Sequence, residues 1–461
     1  MHVLVHRSLW LLAFLAVALA ATIAAAAESD RPNFILFIAD DMGAPDSGAY
    51  GNRGIRTPRL DRLATEGMRF DRAFLTCSSC SPSRASIITG LYPHQTGAHE
   101  LHMPLPGDRV TFVELLRAAG YWTVAAGKWH LGPETKPKFD QVIEKQGQWV
   151  EALKDRPRDK PFFFWFASTD PHRPYEPNSI PQPHGESDVT VPAYLPDTPE
   201  VRGDLALYYD EINRLDGAVG EALDELDRQQ AAENTFVLFI SDNGQPFPRA
   251  KTTVYDSGIQ TPWIVRWPAR VKPGSVCKSL VSSIDIAPTV CVLAGVSPSP
   301  TFEGKNFAPL LANPAATIRE YVFAEHNWHD YTAFDRAVRD QRYKYIRSWY
   351  TDLPQTPPAD AVKSITFQTM LQLGGEGKLL DQLQQCFVLP RPEQELYDTE
   401  TDPNELFNLA SDPSYLATLL RMDTALADWQ RKTNDRLPEI RTPDKYDRKT
   451  AEPLEPKKKR T

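Results

Sequence analysis

The chain has 461 residues, of which 41% are hydrophobic and 10% aromatic, and its formal net charge is −9. This length allows two or three domains, and the composition is that of a globular protein with a large core. The negative charge gives no sign of nucleic-acid binding. An anionic ligand would have to be held by local positive groups, because the field of the whole molecule repels it.

Residues 1–27 have the pattern of a secretion signal peptide. His6 and Arg7 precede an apolar run at 9–26, and three alanines end the segment before Glu28. A membrane anchor is the alternative, but the run is rich in alanine and an acidic segment follows it. No later stretch is apolar enough to span a bilayer. We therefore expect an exported protein without a membrane attachment after cleavage, in a periplasmic, secreted or lysosome-like compartment.

Apolar strands alternate with helices in the segment 28–300. Helical spacing is found at 59–70 and 205–226, and strand-like runs are found at 33–40, 122–126, 161–167, 235–240 and 262–267. Fully apolar strands between helices indicate a mostly parallel sheet that is covered by helices on both faces. The predicted fold class of this segment is therefore α/β.

The alternation of apolar strands and helices ends near Pro298. Short strands at 321–325 and 334–348, a proline-rich stretch and a helix at 413–432 follow. We interpret residues 301–445 as a smaller C-terminal α+β domain with an antiparallel sheet. Residues 446–461, which end in a run of lysines, are predicted to be a disordered basic tail.

Oxygen-bearing side chains follow two of the predicted strands. Asp40 and Asp41 end the first strand, and Asp242 and Asn243 end a later one. The carboxyl ends of strands in a doubly wound sheet are where ligands bind. Three carboxylates meeting there would repel each other without a cation, and hard oxygen ligands favour Ca²⁺ or Mg²⁺ over zinc. Each pair alone could cap a turn, but both together predict a site for one divalent cation.

Residues 80–90 read Cys-Ser-Pro-Ser-Arg-Ala-Ser-Ile-Ile-Thr-Gly and fit the pattern C-x-P-S-R-x-x-x-x-T-G. Pro82 suits the first turn of a helix, and Gly90 can end it. Cys80 is then expected just ahead of a helix N-terminus, where free N–H groups and the helix dipole favour an anion. A buried cysteine beside an ordinary helix is the alternative. The complete motif resembles that of the type I sulfatases.

This resemblance implies an alkaline-phosphatase-like fold and a particular chemistry at Cys80. In the family the cysteine is oxidised to formylglycine, an aldehyde that hydrates to a geminal diol, so a formylglycine-generating enzyme is an expected partner during maturation. Arg84 matches the residue that supports the modified side chain. The family's cation, expected here as Ca²⁺ in preference to Mg²⁺, is bound by residues matching Asp40, Asp41, Cys80, Asp242 and Asn243.

Basic side chains complete the predicted catalytic set. Lys128 and His130 fit the family pattern G-K-x-H-x-G, and their spacing in an extended segment directs both side chains to the same side. The resemblance implies that Lys128 neutralises sulfate oxygens and that His130 hydrogen-bonds the diol and removes a proton from it. It also implies that His172 protonates the leaving atom and that Lys251 is a second basic contact.

Within the family, the chain is most similar to the heparan N-sulfatases, or sulfamidases. The segments 191–199 and 241–248 carry this likeness, the latter through its Gln-Pro-Phe-Pro sequence. The implied substrate is N-sulfoglucosamine of heparan- or heparin-type glycans. The chain differs at Trp129 and Lys251, where sulfamidases have lysine and arginine, and it lacks a long insertion after His172. An O-sulfatase acting on another sulfated glycan or on an aryl sulfate therefore remains an alternative.

Three residues are candidates for substrate binding. Asp170 precedes His172 by two positions, and His329 and Arg336 lie in a C-terminal segment that is similar to one in sulfamidases. A chain whose Cys80 stays unmodified would be a protein that only binds sulfated glycans, which is the non-enzyme alternative. The family often forms homodimers, but the sequence identifies no self-associating face. The odd cysteine count of five leaves at least one unpaired.

Overall fold

The computed structural model describes residues 31–454 of the chain. The predicted signal peptide and residues 455–461 of the predicted tail lie outside the described residues. Within the described range, no helix is long and apolar enough to cross a membrane.

The strands form three separate sheets and are numbered in chain order. They are β1 Asn33–Ala39, β2 Met68–Phe70, β3 Ala73–Phe74, β4 Trp122–Gly127, β5 Gln141–Ile143, β6 Phe162–Ala167, β7 Thr235–Ser241, β8 Ile264–Arg266, β9 Ser275–Cys277, β10 Val281–Ser282, β11 Val322–His326, β12 Asp335–Arg339, β13 Tyr343–Ser348 and β14 Gln394–Asp398.

The helices range from single turns to one of 30 residues. They are α1 Pro58–Glu66, α2 Cys80–Thr89, α3 Pro93–Thr96, α4 Phe112–Ala118, α5 Trp149–Asp155, α6 Pro199–Arg228, α7 Asp256–Ile259, α8 Ile286–Leu293, α9 Ala308–Ala312, α10 Ala359–Val362, α11 Ile365–Gly375 and α12 Leu416–Thr433. Short 3₁₀ turns occur at Gly48–Tyr50, Lys136–Lys138, Ser283–Asp285, Asp381–Leu383 and Pro413–Tyr415.

The largest sheet has eight strands in the order β5-β4-β6-β1-β7-β8-β2-β9. The strands from β5 to β7 are mutually parallel, whereas β8 is antiparallel to both of its neighbours. Alternate side chains of β1 enter two different apolar cores, because successive residues of a strand point to opposite faces. Phe34 and Leu36 lie in one core and Ile35 and Phe37 in the other. The predicted mostly parallel α/β sheet is confirmed.

Helices cover both faces of this sheet. One core contains side chains of α2, α4 and α8, and the other contains side chains of α1, α5 and the long helix α6. Thr198 caps the N-terminus of α6 by accepting a hydrogen bond from the Val201 N–H at 3.4 Å. This cap explains why α6 begins at Pro199, six residues before the predicted start.

A smaller antiparallel sheet follows, with strand order β11-β12-β13-β14. One face packs on the large domain, where Val322 and Ile346 meet Phe74. The opposite face packs on α12, for example through Tyr345 and Trp429. The predicted antiparallel C-terminal sheet and its closing helix are confirmed.

The structure corrects two predicted elements. The helix expected over 59–70 ends at Glu66, and β2 follows it. A Cβ on Gly67 would lie 2.1 Å from the Val265 carbonyl oxygen, so a glycine is needed where the chain changes from helix to strand. The single strand expected over 334–348 is a hairpin of β12 and β13, turning at residues 340–342.

Two segments depart from the predicted domain limits. Leu310 and Leu311 of α9 lie in the first core, beyond the predicted boundary at residue 300. We propose that the boundary follows Ala312. In addition, the residues 446–454 do not behave as a disordered tail. Arg448 donates hydrogen bonds to the Thr332 carbonyl at 3.0 Å and to Asp444 at 2.7 Å, so this stretch packs on the C-terminal domain.

Candidate active site

The candidate site lies at the carboxyl edge of four adjacent parallel strands. Asp40 and Asp41 follow β1, Asp242 and Asn243 follow β7, Lys128 follows β4, and the turn containing His172 follows β6. The order β4-β6-β1-β7 makes these strand ends neighbours. The geometry predicted for the doubly wound sheet therefore brings side chains together that are up to 200 residues apart in the chain.

Gly127 allows Lys128 to reach this edge. Gly127 has φ +102°, and a Cβ there would lie 1.8 Å from the Ala167 carbonyl oxygen of β6. The Lys128 N–H donates to that same carbonyl at 3.0 Å. A side chain at position 127 would separate β4 from β6, so glycine is needed both for the backbone conformation and for the close approach.

Cys80 is the first residue of α2, one position further into the helix than expected from the sequence. Gly90 ends the helix as predicted, with φ +63° and its N–H donating to the Ser86 carbonyl. Cys80 is only 2% exposed, and burial raises the pKa of its thiol to about 12. An unmodified side chain at this position is therefore a protonated thiol at neutral pH, which is a poor nucleophile.

Buried oxygen atoms surround the Cys80 side chain. Ligand atoms of Asp40, Asp41 and Cys80 all lie within 4.8 Å of one another. The Asn243 side-chain nitrogen is 3.3 Å from Cys80 Sγ, 3.0 Å from Asp41 Oδ1 and 2.9 Å from Asp242 Oδ1. The structure thus brings together all five residues that the sequence predicts as metal ligands.

Three basic side chains form hydrogen-bonded ion pairs with the carboxylates. Lys128 Nζ donates to both oxygens of Asp40 at 2.7 and 2.6 Å. Lys251 Nζ donates to Asp41 Oδ2 at 2.7 Å, and Arg84 Nε donates to Asp242 Oδ2 at 2.7 Å. Each carboxylate therefore accepts hydrogen bonds from one of these three cations, and the formal charges of the six groups balance before any ion binds.

Burial and these pairings set the ionisation of the acidic groups. Burial, opposed by Arg84 and reinforced by Asp40, raises the pKa of Asp242 to about 6. Burial acts in the same direction on Asp40, but Lys128, His172 and Arg84 together hold its pKa below the ordinary value. A further positive charge nearby would therefore favour the ionised form of Asp242.

These residues fit a single hard divalent cation. Carboxylate and amide oxygens are the ligands of Ca²⁺ and Mg²⁺, and bonds of about 2.3–2.6 Å to Ca²⁺ match ligand atoms separated by less than 5 Å. Asn243 directs its side-chain nitrogen to the carboxylates and leaves Oδ1 buried without a hydrogen-bond partner in the described structure. A 180° rotation of the amide group would direct Oδ1 to the cluster as an ion ligand. A divalent cation would give the balanced cluster a surplus positive charge next to position 80.

His172 lies at the edge of this cluster. Its Nδ1 contacts the Arg173 carbonyl, which fixes the ring orientation. Its Nε2 is 3.8 Å from Asp41 Oδ2 and 3.7 Å from Asp360 Oδ2. Because its side chain is 31% exposed, the ring can meet both the ion cluster and a ligand that enters from solvent.

His130 is held by a second histidine. Its Nε2 is 2.8 Å from His102 Nδ1, and the two residues have left-handed backbone conformations with φ of +54° and +67°. Non-glycine residues in this region are uncommon and are found more often at functional sites. Burial, together with Lys128 and Arg84, lowers the pKa of His130 to about 2, so the ring is neutral at neutral pH.

The predicted substrate-binding residues have different surroundings. Both Asp170 oxygens accept hydrogen bonds from Arg214, at 2.8 and 2.7 Å. His329 is near Cys80, since its Nδ1 is 2.8 Å from Oγ of Ser79, the residue before Cys80. His329 is 5% exposed, and burial holds its pKa well below the ordinary value, so its ring is neutral.

Arg336, in contrast, is committed to an internal ion-pair network. Its Nε and Nη2 donate to the two oxygens of Asp435 at 2.7 and 2.8 Å, and Nη2 is 3.5 Å from Glu325. The guanidinium is 1% exposed and stacks on the Phe334 ring. These contacts indicate a structural role, in place of the predicted substrate contact.

We expect Arg336→Ala to lower the free energy of unfolding by about 3–5 kcal/mol, because the change removes the guanidinium that pairs with the buried carboxylates of Asp435 and Glu325. Urea denaturation would measure this loss. Arg431→Ala is a suitable control, since Arg431 is 73% exposed and pairs with Asp428 on the surface of α12. A stable Arg336→Ala protein with a raised KM would contradict the structural role.

Two residues of the site carry no sequence signal. His102 lies in a loop 28 residues before His130, outside any motif. Asp360 lies in the proline-rich stretch of the C-terminal domain. Only the tertiary structure brings them to the catalytic edge. The cysteines other than Cys80, namely Cys77, Cys277, Cys291 and Cys386, are buried and not disulfide-bonded.

Comparison with known proteins agrees with this geometry. Residues 32–148 and 147–296 match the sulfatase family model, and residues 249–356 match the model for the C-terminal region of N-sulphoglucosamine sulphohydrolase. The chain therefore belongs to the sulfatase family, and it is a hydrolase of that class.

Individual relatives span most of the chain. The chain is 34% identical to human N-sulphoglucosamine sulphohydrolase, over 88% of this chain and 91% of that protein. It is 31% identical to an ulvan-active sulfatase from Formosa agariphila, over 88% and 76% of the two chains.

The solved structures confirm the fold. A protein solved in complex with its substrate D-glucosamine-2-N,6-O-disulfate superposes with a TM-score of 0.70 at 21% identity, covering 88% of this chain and 99% of that one. The fold is thus the alkaline-phosphatase-like arrangement of a mostly parallel sheet between helices, with a smaller C-terminal α+β domain.

Proposed function

We propose that the protein hydrolyses the sulfamate of N-sulfoglucosamine in heparan- or heparin-type glycans. The observation that carries the chemistry is the convergence of Asp40, Asp41, Asp242 and Asn243 on the Cys80 side chain. The match of residues 249–356 to the C-terminal model of N-sulphoglucosamine sulphohydrolase favours the N-sulfated sugar. The 34% identity to the human enzyme of that name, over nearly the whole of both chains, adds to this.

The proposed chemistry needs a modified side chain at position 80 and one divalent cation, preferably Ca²⁺. Conversion of Cys80 to formylglycine by a formylglycine-generating enzyme would supply a hydrated aldehyde as an oxygen nucleophile, and the cation would supply positive charge beside it. Asp40, Asp41, Asp242, Asn243 and the residue at position 80 would hold the ion.

The basic residues would bind and orient the sulfonate group. Lys128 and Lys251 stay protonated, because Asp40 and Asp41 respectively raise their pKa values despite burial, which opposes the charge. They can therefore neutralise the sulfonate oxygens as charge redistributes in the transition state. Arg84 would act indirectly by holding Asp242 in place, since its guanidinium is fully buried.

The two histidines would move protons. His172 presents Nε2 to the open side of the cluster and can protonate the leaving atom. His130 would accept a proton from the residue at position 80 once the negative sulfonate group offsets the charges of Lys128 and Arg84 that lower its pKa, with His102 fixing the orientation of its ring. Asp170 would position the His172 turn through its pairing with Arg214, and His329 would form part of the pocket wall.

An O-sulfatase is the second candidate. The ulvan-active relative is almost as similar in sequence, at 31% identity. Lys251 and Trp129 also depart from the sulfamidase pattern. We further propose that the protein acts after export, in the periplasm, a lysosome-like compartment or the medium, as the sequence of residues 1–27 indicates.

Desulfation assays would test the substrate. We expect release of sulfate from N-sulfoglucosamine with a kcat/KM at least about tenfold higher than from glucosamine-6-O-sulfate or 4-methylumbelliferyl sulfate, a preference of about 1.4 kcal/mol. Peptide mass spectrometry of the same sample would show whether position 80 is formylglycine. Faster turnover of an O-sulfated substrate by the modified protein would overturn the N-sulfate assignment and favour the second candidate.

A further inference from the structure

Asp360 is a carboxylate at the catalytic edge that the proposed chemistry does not use. It belongs to α10 in the C-terminal domain, and its Oδ2 lies 3.7 Å from His172 Nε2. That nitrogen is the atom that would protonate the leaving group. Asp360 therefore lies next to the leaving atom, on the side of the pocket that the C-terminal domain provides.

Among the described residues, no basic side chain donates a hydrogen bond to Asp360. Oδ1 accepts a hydrogen bond from the Ala361 N–H at 2.8 Å, while Oδ2 is buried and has no hydrogen-bond partner among the described residues. The neighbouring cations are engaged elsewhere. Arg173 forms a two-pronged pair with Asp204 at 2.9 and 2.7 Å, and Lys251 donates to Asp41. A buried, ionised oxygen is thus left with an unmet hydrogen-bond capacity, which a ligand bound against the partly exposed His172 ring would satisfy.

The position of Asp360 is fixed by the rest of the site. Asp330 Oδ2 accepts a hydrogen bond from the Ala359 N–H at 2.9 Å. The adjacent His329 contacts Ser79, directly before the nucleophile position, at 2.8 Å. The segment that carries Asp360 is therefore tied to the N-terminus of α2. Burial opposes its charge, but Lys251, His172 and Arg173 hold its pKa below the ordinary value, so the group is a carboxylate.

A carboxylate at this position interacts differently with the leaving nitrogen of a sulfamate and the leaving oxygen of a sulfate ester. The bridging nitrogen of a sulfamate carries a hydrogen that can be donated to Asp360, and the amine product becomes a cation. The bridging oxygen of a sulfate ester has only lone pairs, which a carboxylate repels. Sites built to accept such a hydrogen bond discriminate strongly against analogues that lack the donor.

We propose that Asp360 is a specificity-determining residue that recognises the nitrogen of a sulfamate leaving group. When the sulfur–nitrogen bond breaks, its electron pair stays on nitrogen and the sulfonate passes to the attacking oxygen. The nitrogen takes a proton from His172, and the amine then gains a second proton from water. Asp360 accepts a hydrogen bond from this nitrogen throughout. The inference rests on the proposed N-sulfated substrate and names the group that selects it.

The test compares Asp360→Asn with the wild type on N-sulfoglucosamine and on 4-methylumbelliferyl sulfate. Asparagine keeps the shape but removes the charge. We expect kcat/KM for N-sulfoglucosamine to fall about 10- to 100-fold, as for loss of a hydrogen bond to a charged group, while turnover of the aryl sulfate is unchanged or rises. Asp352→Asn, at an exposed residue of the same stretch, should leave both values unchanged.

An equal loss on both substrates, or no loss on either, would overturn the role of Asp360 while leaving the proposed function intact. Failure of the wild type to cleave N-sulfoglucosamine would instead overturn the proposed function. A second measurement needs no variant. Glucosamine should inhibit the wild type at least about tenfold more strongly than glucose, by the hydrogen bond of its ammonium group to a carboxylate, and equal inhibition would refute the inference.

Discussion

Cys80→Ala should abolish turnover of every sulfated substrate, with kcat falling by more than about 10³-fold, because removing a nucleophile disables the whole set of groups that act on it. The structure places no other nucleophilic side chain among the described residues that contact the ion-binding cluster. The Cys80 side chain lies within the ion-binding cluster, and its neighbours are basic groups and carboxylates that are already paired. Sulfate release measured on purified, folded protein would check this result.

Cys80→Ser separates the two halves of the reaction. A serine hydroxyl can attack sulfur once, but it has no second hydroxyl with which to expel the sulfate. We expect little steady-state turnover and accumulation of a protein that is heavier by one sulfonate group in intact mass spectrometry. Cys386→Ala, a buried cysteine of the C-terminal domain, is the control and should keep full activity. Full activity of either Cys80 variant would contradict the assigned nucleophile.

Removal of the divalent cation should reduce turnover about as strongly as the Cys80→Ala substitution. We expect a chelator to abolish turnover and Ca²⁺ to restore it, because the ion offsets the charge of the sulfonate. Binding of the cation can also be measured without catalysis, through the stability of the folded protein. An ion that binds only the folded protein should stabilise it by about 2.7 kcal/mol at 100 times its Kd. Thermal unfolding with and without Ca²⁺ would measure this gain.

Asp242→Ala should remove both the activity and the stabilisation by Ca²⁺. It deletes one predicted ligand and leaves the buried Arg84 without its 2.7 Å partner, so the metal-free variant should also unfold more easily. Asp352→Asn is the matched control, because Asp352 is 61% exposed and pairs with Arg441 on the surface. Stabilisation of the Asp242 variant by Ca²⁺ equal to that of the wild type would place the ion elsewhere.

Much of the large domain could be predicted from local pattern. The strands that end at Asp40 and Asp242 are continuous apolar runs, and a parallel sheet requires their ends to meet, so the ion cluster followed from the positions of four side chains. Gly90 likewise marks the end of α2. These predictions hold because the relevant information is contained in a few consecutive residues.

Other features depend on contacts between distant parts of the chain. The end of α1 at Glu66 is set by the approach of Gly67 to Val265, about 200 residues later, and no local pattern shows it. The sequence suggests that Arg336 binds a ligand. In the fold, its guanidinium instead donates hydrogen bonds to both oxygens of Asp435. His102 and Asp360 reach the catalytic edge only through the docking of loops and of the C-terminal domain.

The burial of α2 also bears on the order of events during biosynthesis. All ten residues of this helix are buried, including Cys80 and the motif around it. A second protein that oxidises this cysteine would have to reach the motif, and the completed fold gives it no access. The oxidation would therefore have to precede compaction of the chain. A molecule that folds first would be trapped as an inert thiol form that no later exposure to the modifying enzyme could rescue.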